Sequence, residues 1–214
     1  MPPKVTLVDY GIGNLLSVRR GFEHFNFEVE ITDDPKIILN SERVVLPGVG
    51  SFLVGMSELA KSGLDDAIRE LASKQVPILA ICLGMQLLFE YGEERGLTAG
   101  LGLIPGRVVA IPTSNDTGPT FRVPHIGWNA IYEPTKDSTW KAKVLQGTKP
   151  GSEVYFNHSF MAIPSNSLDL KAICNYGGHF MAAVVQRGSV TGCQFHPEKS
   201  GEIGLMMLKN FVNP

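Results

Sequence analysis

The sequence lacks long apolar runs, and none approaches the roughly 20 residues that a helix needs to cross a bilayer. The amino terminus also lacks the charged segment, long apolar core and small-residue cleavage site of a signal peptide. Basic clusters are missing too, and 19 Lys and Arg against 21 Asp and Glu give a formal net charge of -2. Because nucleic-acid binders normally carry a basic patch, we expect neither a membrane nor a nucleic-acid partner.

Cysteine is scarce as well. The chain has three, Cys82, Cys174 and Cys193, which form no C-x-x-C pair and no metal-like cluster with histidine. An odd number cannot be paired fully within one chain, so we expect a reducing, cytoplasmic compartment. The sequence predicts no metal site and no other cofactor.

Apolar residues are plentiful. A hydrophobic content of 43% and a charged content of 19% are typical of a globular protein with an ample core. A length of 214 residues is enough for one well-buried domain and short for two. We therefore expect a single domain over residues 1–214.

Strand-like and helix-like segments alternate in the first half of the chain. The predicted strands are 4–9, 27–32, 43–48 and 76–81, and the predicted helices are 15–25, 55–74 and 84–90. Beyond about residue 100 the runs are short and β-rich, until a helix closes the chain at 201–212. Several of the strands are apolar throughout, which favours a parallel sheet covered on both faces. We predict an α/β fold with an open mixed, mainly parallel sheet, helices on both faces and a β-rich second half.

The stretch "PILAICLGMQLLFE" (77–90) places Cys82 where a predicted strand meets a predicted helix. In an open parallel sheet the functional crevice lies outside the carboxyl ends of the strands. A tight turn there, with Gly84 making room, would be a nucleophile elbow. The helix start would favour the thiolate, and the Leu83 N–H would face an oxyanion. Taken alone, a cysteine in an apolar run is more often a small buried hydrophobe.

A nucleophile needs a base, and one of the five histidines has a carboxylate two positions away. His196 lies in "TGCQFHPEKS" (191–200), and Pro197 biases it toward extended geometry. Extended residues two apart point to the same side, so His196 and Glu198 could both face Cys82. His196 would then move the proton and Glu198 would fix the imidazole. Alone, H-P-E is as consistent with an ordinary turn.

A third element is "LPGVGSF" (46–52), another strand that ends in a glycine loop. Glycine lets backbone N–H groups approach a ligand closely. The Val49–Gly50 segment could therefore supply a second oxyanion donor. An isolated P-G-x-G would be a plain turn.

Together these elements resemble the class I, triad-type glutamine amidotransferases, in the expected order over nearly the whole chain. More narrowly, five stretches are similar to the glutaminase subunits of imidazole glycerol phosphate synthases. They are "DYGIGNLLSV" (9–18), "PGVGSF" (47–52), "ICLGMQLLFE" (81–90), "VPHIGWN" (123–129) and "HPEKS" (196–200). The resemblance implies a flavodoxin-like sheet arrangement.

The resemblance also implies an activity and its residues. The family hydrolyses glutamine to glutamate and ammonia through a thioester, at a triad that corresponds here to Cys82, His196 and Glu198. In the family the glutamine is held by residues that correspond to Gly50, Gln86, Ser159 and Phe160.

The resemblance further implies a heterodimer with a cyclase subunit, a (β/α)8 barrel that receives the ammonia in histidine biosynthesis. By resemblance, Asn14, Trp128 and Lys199 lie toward the cyclase and the ammonia passage. Core packing is the ordinary alternative for Trp128. In the family, hydrolysis rises when the cyclase binds its nucleotide, and a peptide turn at Val49 that completes the oxyanion hole would be a physical means.

The chain departs from the family pattern at two positions. Ala80 stands two residues before the cysteine, where the family usually has glycine. Asn157 stands before His158, where an apolar residue is expected. Neither position belongs to the triad.

Other interpretations stay open. A glutaminase of pyridoxal phosphate synthesis should show G-G-E-S-T where this chain has "PGVGSF" (47–52), and a related hydrolase of the same fold would not be expected to carry H-P-E. A nucleotide-binding module would use "YGIGN" (10–14), but Leu16 replaces the third glycine of that motif. A paralogue that feeds another synthase, for example in surface-sugar amidation, and a catalytically silent partner subunit are the remaining alternatives.

Overall fold

The computed structural model of the protein describes residues 2–113, 121–135, 140 and 142–213. Its strands are β1 (Lys4–Val8), β2 (Glu28–Thr32), β3 (Val44–Gly48), β4 (Ile78–Cys82), β5 (Phe89–Gly92), β6 (Thr98–Ala99), β7 (Ile104–Ala110), β8 (His125–Tyr132), β9 (Ser152–His158), β10 (Phe160–Pro164), β11 (Leu170–Tyr176), β12 (His179–Arg187) and β13 (Val190–Cys193). Its α-helices are α1 (Leu15–Glu23), α2 (Pro35–Leu39), α3 (Phe52–Lys61), α4 (Leu64–Ser73), α5 (Leu83–Leu87) and α6 (Gly201–Val212).

The largest element is a nine-stranded sheet in the order β2-β1-β3-β4-β13-β12-β11-β8-β9. The strands from β2 to β13 pair in parallel, and those from β13 to β9 pair antiparallel. The predicted α/β class, the mixed sheet and the β-rich second half are confirmed. Gly48 pairs with Cys82, and Cys193 pairs with Ile81. The carboxyl ends of β3, β4 and β13 therefore lie side by side at one edge of the sheet.

Alternation along the strands divides the core between the two faces of this sheet. Leu79 and Ile81 of β4 belong to an apolar cluster that includes residues of α1 and α6. Ile78 and Ala80 belong to a second cluster with residues of α3, α4 and α5. Helices therefore cover both faces, as predicted.

A smaller sheet, in the order β10-β7-β5-β6, packs into the second of these clusters. Its core side chains are Phe89 of β5, Ile104 and Val108 of β7, and Ala162 of β10. The β-rich part of the chain thus extends the large sheet and also covers part of one of its faces.

Most predicted elements of the first half are present, with bounds that differ by one or two residues. The predicted strands become β1 to β4, the first helix becomes α1, and the closing helix has its predicted bounds of 201–212. Within the part of the chain that the structure describes, no helix is both long and apolar enough to cross a bilayer.

The predicted single helix over 55–74 is wrong, because the chain forms two helices there, α3 and α4. Gly63 between them has φ +68, in the left-handed region. A right-handed helix cannot continue through such a residue, and glycine adopts it at no steric cost. The apolar periodicity runs across the break, since both helices bury residues in the same cluster.

The helix predicted over 84–90 is also wrong beyond Leu87. Phe89–Gly92 forms β5, which pairs in parallel with β7, and Phe89 is fully buried there. Tertiary pairing outweighs the local preference of these residues, since intrinsic propensity is a weak prior.

The packing of α5 against β3 depends on glycine at position 84. A Cβ at Gly84 would lie 2.0 Å from the Leu46 carbonyl oxygen, which is backbone and cannot move aside. We expect Gly84→Ala to lower the free energy of unfolding by about 3 kcal/mol or more, as measured by urea denaturation.

Gly102→Ala is the matched control, because Gly102 has φ +67 but no heavy atom within 4 Å of the added methyl. It should cost only the strain of a left-handed alanine, about 1–2 kcal/mol. Equal losses in the two variants would contradict the close approach of α5 to β3.

Candidate active site

Cys82 stands at a strained turn between β4 and α5. Its φ is 55° and its ψ is -110°, which is unusual for a residue with a side chain. The turn fits because Gly48 and Gly84, which lie beside it, have no side chains, and a Cβ at either position would clash with its neighbours. This is the strained strand-to-helix turn that the sequence analysis expects of a nucleophile elbow.

Ala80 does not prevent this turn. It is fully buried in β4 and pairs with Leu46 on one side and Gly192 on the other. A Cβ at Gly192 would lie 2.6 Å from the Met85 side chain. Met85 of α5 therefore fills the space beside Gly192, next to Ala80. The elbow forms with alanine at this position.

His196 and Glu198 lie just beyond β13 and are almost inaccessible, with 3% and 1% of their side-chain surfaces exposed. The distance from His196 Nδ1 to Glu198 Oε1 is 2.8 Å. The backbone N–H of His196 donates to the Tyr155 carbonyl at 2.9 Å. The Ser200 hydroxyl donates to the His196 carbonyl at 2.6 Å and accepts from the Tyr155 N–H at 3.0 Å. The loop that carries both side chains is thereby locked onto β9.

The environment favours a charged His196. Burial lowers the pKa of His196, but hydrogen bonds to Cys82 and Glu198 and the negative charges of both raise it to about 9. At neutral pH His196 therefore holds a proton beside the Cys82 sulfur. Since Glu198 occupies Nδ1, Nε2 remains to exchange a proton with a reacting group.

A cavity of about 260 Å³ opens beside the Cys82 sulfur. Its lining residues are Val49, Gly50, Cys82, Leu83, Gln86, Glu94, Pro124, Asn157, His158, Ser159 and Phe160. The structure thus brings together around one cavity the three oxyanion candidates and all four of the candidate glutamine contacts from the sequence analysis.

The side chain of Gln86 also has a structural task. Its Nε2 donates to the Phe160 carbonyl and to Gln194 Oε1, both at 3.0 Å. An amide nitrogen has two hydrogens, so only Gln86 Oε1 is left to meet a ligand. Gln86 therefore ties α5 to β10 as well as lining the cavity.

Four of the lining residues have no site role in the predictions from sequence: Glu94, Pro124, Asn157 and His158. Glu94 belongs to none of the motif stretches, and Pro124 lies in "VPHIGWN" (123–129) without a role assigned to it. Only tertiary structure brings the two residues to the cavity. At Asn157 the group that meets the sulfur is the backbone carbonyl, 3.7 Å from Cys82 Sγ, while the residue is exposed overall. A polar residue is tolerated at that position for this reason.

The three residues assigned to a partner surface lie outside the cavity. Trp128 on β8 is 54% exposed, so the core-packing alternative does not hold. Lys199 Nζ lies 5.9 Å from the centre of the Tyr155 ring, which in turn lies 6.2 Å from the Trp128 ring. The Asn14 side chain accepts a hydrogen bond from the Ser17 N–H and caps α1. Trp128 and Lys199 therefore lie on one surface beside Tyr155, and Asn14 lies at the start of α1.

Comparison with known proteins gives consistent results. The family model of class-I glutamine amidotransferases matches residues 6–213. The imidazole glycerol phosphate synthase subunit HisH 1 of Legionella pneumophila (strain Lens) is 42% identical over 208 residues, which cover 97% of this chain and 98% of that protein. Arabidopsis thaliana has a longer relative, the chloroplastic imidazole glycerol phosphate synthase hisHF, which is 43% identical over 98% of this chain and 34% of that protein.

Solved structures agree on the fold. The structure of PurLQS from Thermotoga maritima aligns with a TM-score of 0.71 and 20% identity, covering 100% of this chain and 99% of that one.

The charge on His196 should make Cys82 the reactive thiol. Burial raises the pKa of Cys174 to about 12, and burial also raises the pKa of Cys193. We expect iodoacetamide at neutral pH to label Cys82 well before the other two cysteines, as followed by peptide mass spectrometry. Glu198→Gln removes the anion that supports the His196 charge, and it should slow labelling about tenfold. Labelling of Cys174 or Cys193 first, or an unchanged rate in Glu198→Gln, would contradict this account of the site.

Proposed function

Because the chain belongs to the class-I glutamine amidotransferase family, we propose that it is the glutaminase subunit of an imidazole glycerol phosphate synthase. It releases ammonia from glutamine for histidine biosynthesis. The observation that carries the proposal is the contact of Cys82 with a charged His196, held by Glu198, beside a cavity of about 260 Å³. The length over which the chain matches the Legionella subunit supports the narrower assignment.

The chemistry follows from the positions of these three side chains. The Cys82 thiolate attacks the side-chain amide carbon of glutamine, and the carbonyl oxygen becomes an oxyanion. His196 gives its proton to the amide nitrogen, the C–N bond breaks and ammonia departs. The glutamyl group remains bound to Cys82 as a thioester. His196 then takes a proton from water, which attacks the thioester and releases glutamate. Glu198 stabilises the imidazolium through the 2.8 Å contact in each half-reaction.

Backbone N–H groups hold the oxyanion in this mechanism. We assign one to Leu83, directly after the nucleophile, and the other to the Val49–Gly50 segment of the neighbouring strand end. Gly50 has φ +107, in the region that favours glycine, and no heavy atom lies within 4 Å of a hypothetical Cβ there. Loss or misplacement of one such donor reduces the stabilisation of the transition state by about 3 kcal/mol.

Glutamine also carries an ammonium and a carboxylate group that need partners. Glu94 is the charged carboxylate among the described lining residues of the cavity. Its Oε2 accepts from the Phe52 N–H at 2.8 Å, which leaves its other oxygen for a ligand. We assign the substrate ammonium to Glu94, and the remaining polar contacts to Gln86 and the backbone of Gly50, Ser159 and Phe160.

The partner in this proposal is a cyclase subunit with a (β/α)8 barrel, bound as a heterodimer at the surface with Asn14, Trp128 and Lys199. The longer Arabidopsis relative supports it, since two thirds of that synthase lies outside the aligned part. Residues 1–214 form one domain in this proposal, supported by the continuous nine-stranded sheet with apolar clusters on both faces. Three free cysteines support a cytoplasmic location.

The proposal is tested by mixing the chain with the cyclase of its own genome and measuring ammonia release from glutamine, with and without the cyclase's nucleotide substrate. We expect the nucleotide to stimulate release. Cys82→Ser should reduce it at least about a thousandfold, because a serine is a far weaker nucleophile beside the same base. Cys174→Ala, a buried thiol away from the cavity, is the control and should keep the activity.

Two results would contradict the assignment. Unchanged ammonia release by Cys82→Ser would mean that Cys82 is not the nucleophile. An active chain that a competent cyclase and nucleotide do not stimulate would identify the chain as a paralogue that serves another synthase.

The role of Glu94 has its own test. Glu94→Gln keeps an acceptor for the Phe52 N–H but removes the charge, so KM for glutamine should rise about tenfold or more with little change in kcat. Glu93→Gln is the matched control on an exposed neighbour, which lies 3.7 Å from Arg107. Similar KM values for the two variants would show that Glu94 does not bind the ammonium.

A further inference from the structure

A file of hydrogen bonds runs from β8 to the wall of the cavity through two buried histidines. Asn129 Nδ2 lies 3.3 Å from His125 Nε2, and His125 Nδ1 lies 3.0 Å from His158 Nε2. His158 Nδ1 lies 2.9 Å from the Phe160 carbonyl oxygen. Asn129, His125 and His158 are called the histidine file below. The proposed mechanism gives it no task.

The position of each proton in the file follows from its two ends. A carbonyl oxygen only accepts, so His158 Nδ1 carries the hydrogen that it donates to Phe160. Burial, with a smaller contribution from a neighbouring imidazole, lowers the pKa of both His125 and His158 to about 4, and the hydrogen bond to the Phe160 carbonyl only partly opposes this shift at His158. Both rings are therefore neutral at pH 7, and His158 Nε2 is an acceptor.

The same reasoning continues outward along the file. His125 Nδ1 must donate to His158, and His125 Nε2 must accept from Asn129 Nδ2. The second hydrogen of that amide donates to the Asn175 carbonyl at 2.8 Å. Every donor in the file meets an acceptor, and only one arrangement of protons satisfies all the contacts.

The inner end of the file fixes a part of the cavity wall. The Phe160 carbonyl accepts from two donors, His158 Nδ1 at 2.9 Å and Gln86 Nε2 at 3.0 Å, which come from β9 and α5. This carbonyl belongs to Phe160, the first residue of β10, which follows the bend at Ser159; these two residues, called the Ser159–Phe160 turn below, line the cavity. Two donors from separate elements hold the peptide far more firmly than one.

We propose that the histidine file is a positioning element for glutamine, in which His158 holds the Ser159–Phe160 turn against the cavity. The inference rests on the proposed function, since it assigns the turn to glutamine binding. His158 acts through the Phe160 peptide and touches no reacting atom. Loss of its donor should therefore weaken glutamine binding more than it slows the chemical step.

Packing alone would not require this chemistry. The His125 ring stacks between Phe156 and Tyr176, with ring centres 4.7 Å and 4.0 Å away. A phenylalanine in place of either histidine would keep most of that volume but would have no donor. An asparagine in place of His158 puts its amide nitrogen near the position of Nδ1 and keeps the donor. The pair His158→Phe and His158→Asn thus separates ring volume from hydrogen bonding.

The first measurement is made on the unmodified chain and needs no activity. Long-range proton–nitrogen NMR correlations at pH 7 should show both His125 and His158 as neutral rings with the proton on Nδ1. A proton on Nε2 of either ring, or a charged ring, would overturn the file, whether or not any variant folds.

The second measurement is steady-state kinetics of glutamine hydrolysis with the cyclase and its nucleotide present. His158→Phe should raise KM for glutamine about tenfold, with kcat changed less than about threefold. His158→Asn should return KM to within about threefold of the unmodified chain. Unchanged KM in His158→Phe, or equal KM values in both variants, would overturn the positioning role.

The failures of the two proposals are distinguishable. An unmodified chain that forms no ammonia with a competent cyclase contradicts the proposed function, and the positioning role falls with it. An active chain with unchanged KM in His158→Phe overturns the positioning role alone.

Discussion

The structure depends on the register in which β3, β4 and β13 pair. Gly48 lies opposite Cys82, and Gly192 lies opposite Ala80, so a glycine flanks the elbow on either side. Cys82 is held at φ 55°, a conformation that costs on the order of 1–3 kcal/mol. It persists because the flanking strands and the buried side chains of α5 leave the turn no alternative. A slip of one residue would place a side chain where Gly84 now meets the Leu46 carbonyl.

The pKa values of His196 and His158 are shifted in opposite directions, because the two rings face different groups. His196 faces two groups that become anions, Cys82 and Glu198, and these raise its pKa to about 9 against the effect of burial. At His158 burial dominates and lowers the pKa to about 4; the hydrogen bond to the Phe160 carbonyl opposes this shift, and the charge of His196 adds to it. One site thus holds an imidazolium for proton transfer and neutral rings for fixed hydrogen bonds. Two imidazolium ions this close together would repel each other.

What could be predicted from the sequence is what is local in it. Cys82, Leu83 and Gln86 lie within five positions, and His196 and Glu198 lie two apart, so backbone geometry alone relates the members of each group. The predicted α/β class followed in the same way from the alternation of apolar strands and helices. The histidine file escaped prediction because His125 and His158 are 33 residues apart and meet only through the antiparallel pairing of β8 and β9. The helix break at Gly63 was not predicted, because α3 and α4 bury their apolar residues in the same cluster and the apolar spacing continues across the break.

The unpredicted end of α5 has a consequence for the site. A helix of five residues has a small dipole, so most of the stabilisation of a Cys82 thiolate must come from His196. Because the helix stops at Leu87, the chain continues as β5 and leaves that strand at Gly92, two residues before Glu94. Pairing of β5 with β7 then holds the Glu94 carboxylate at the cavity, where it also caps α3 through the Phe52 N–H at 2.8 Å. A longer helix would have carried this stretch away along the sheet, so the charge in the cavity depends on the strand that replaced it.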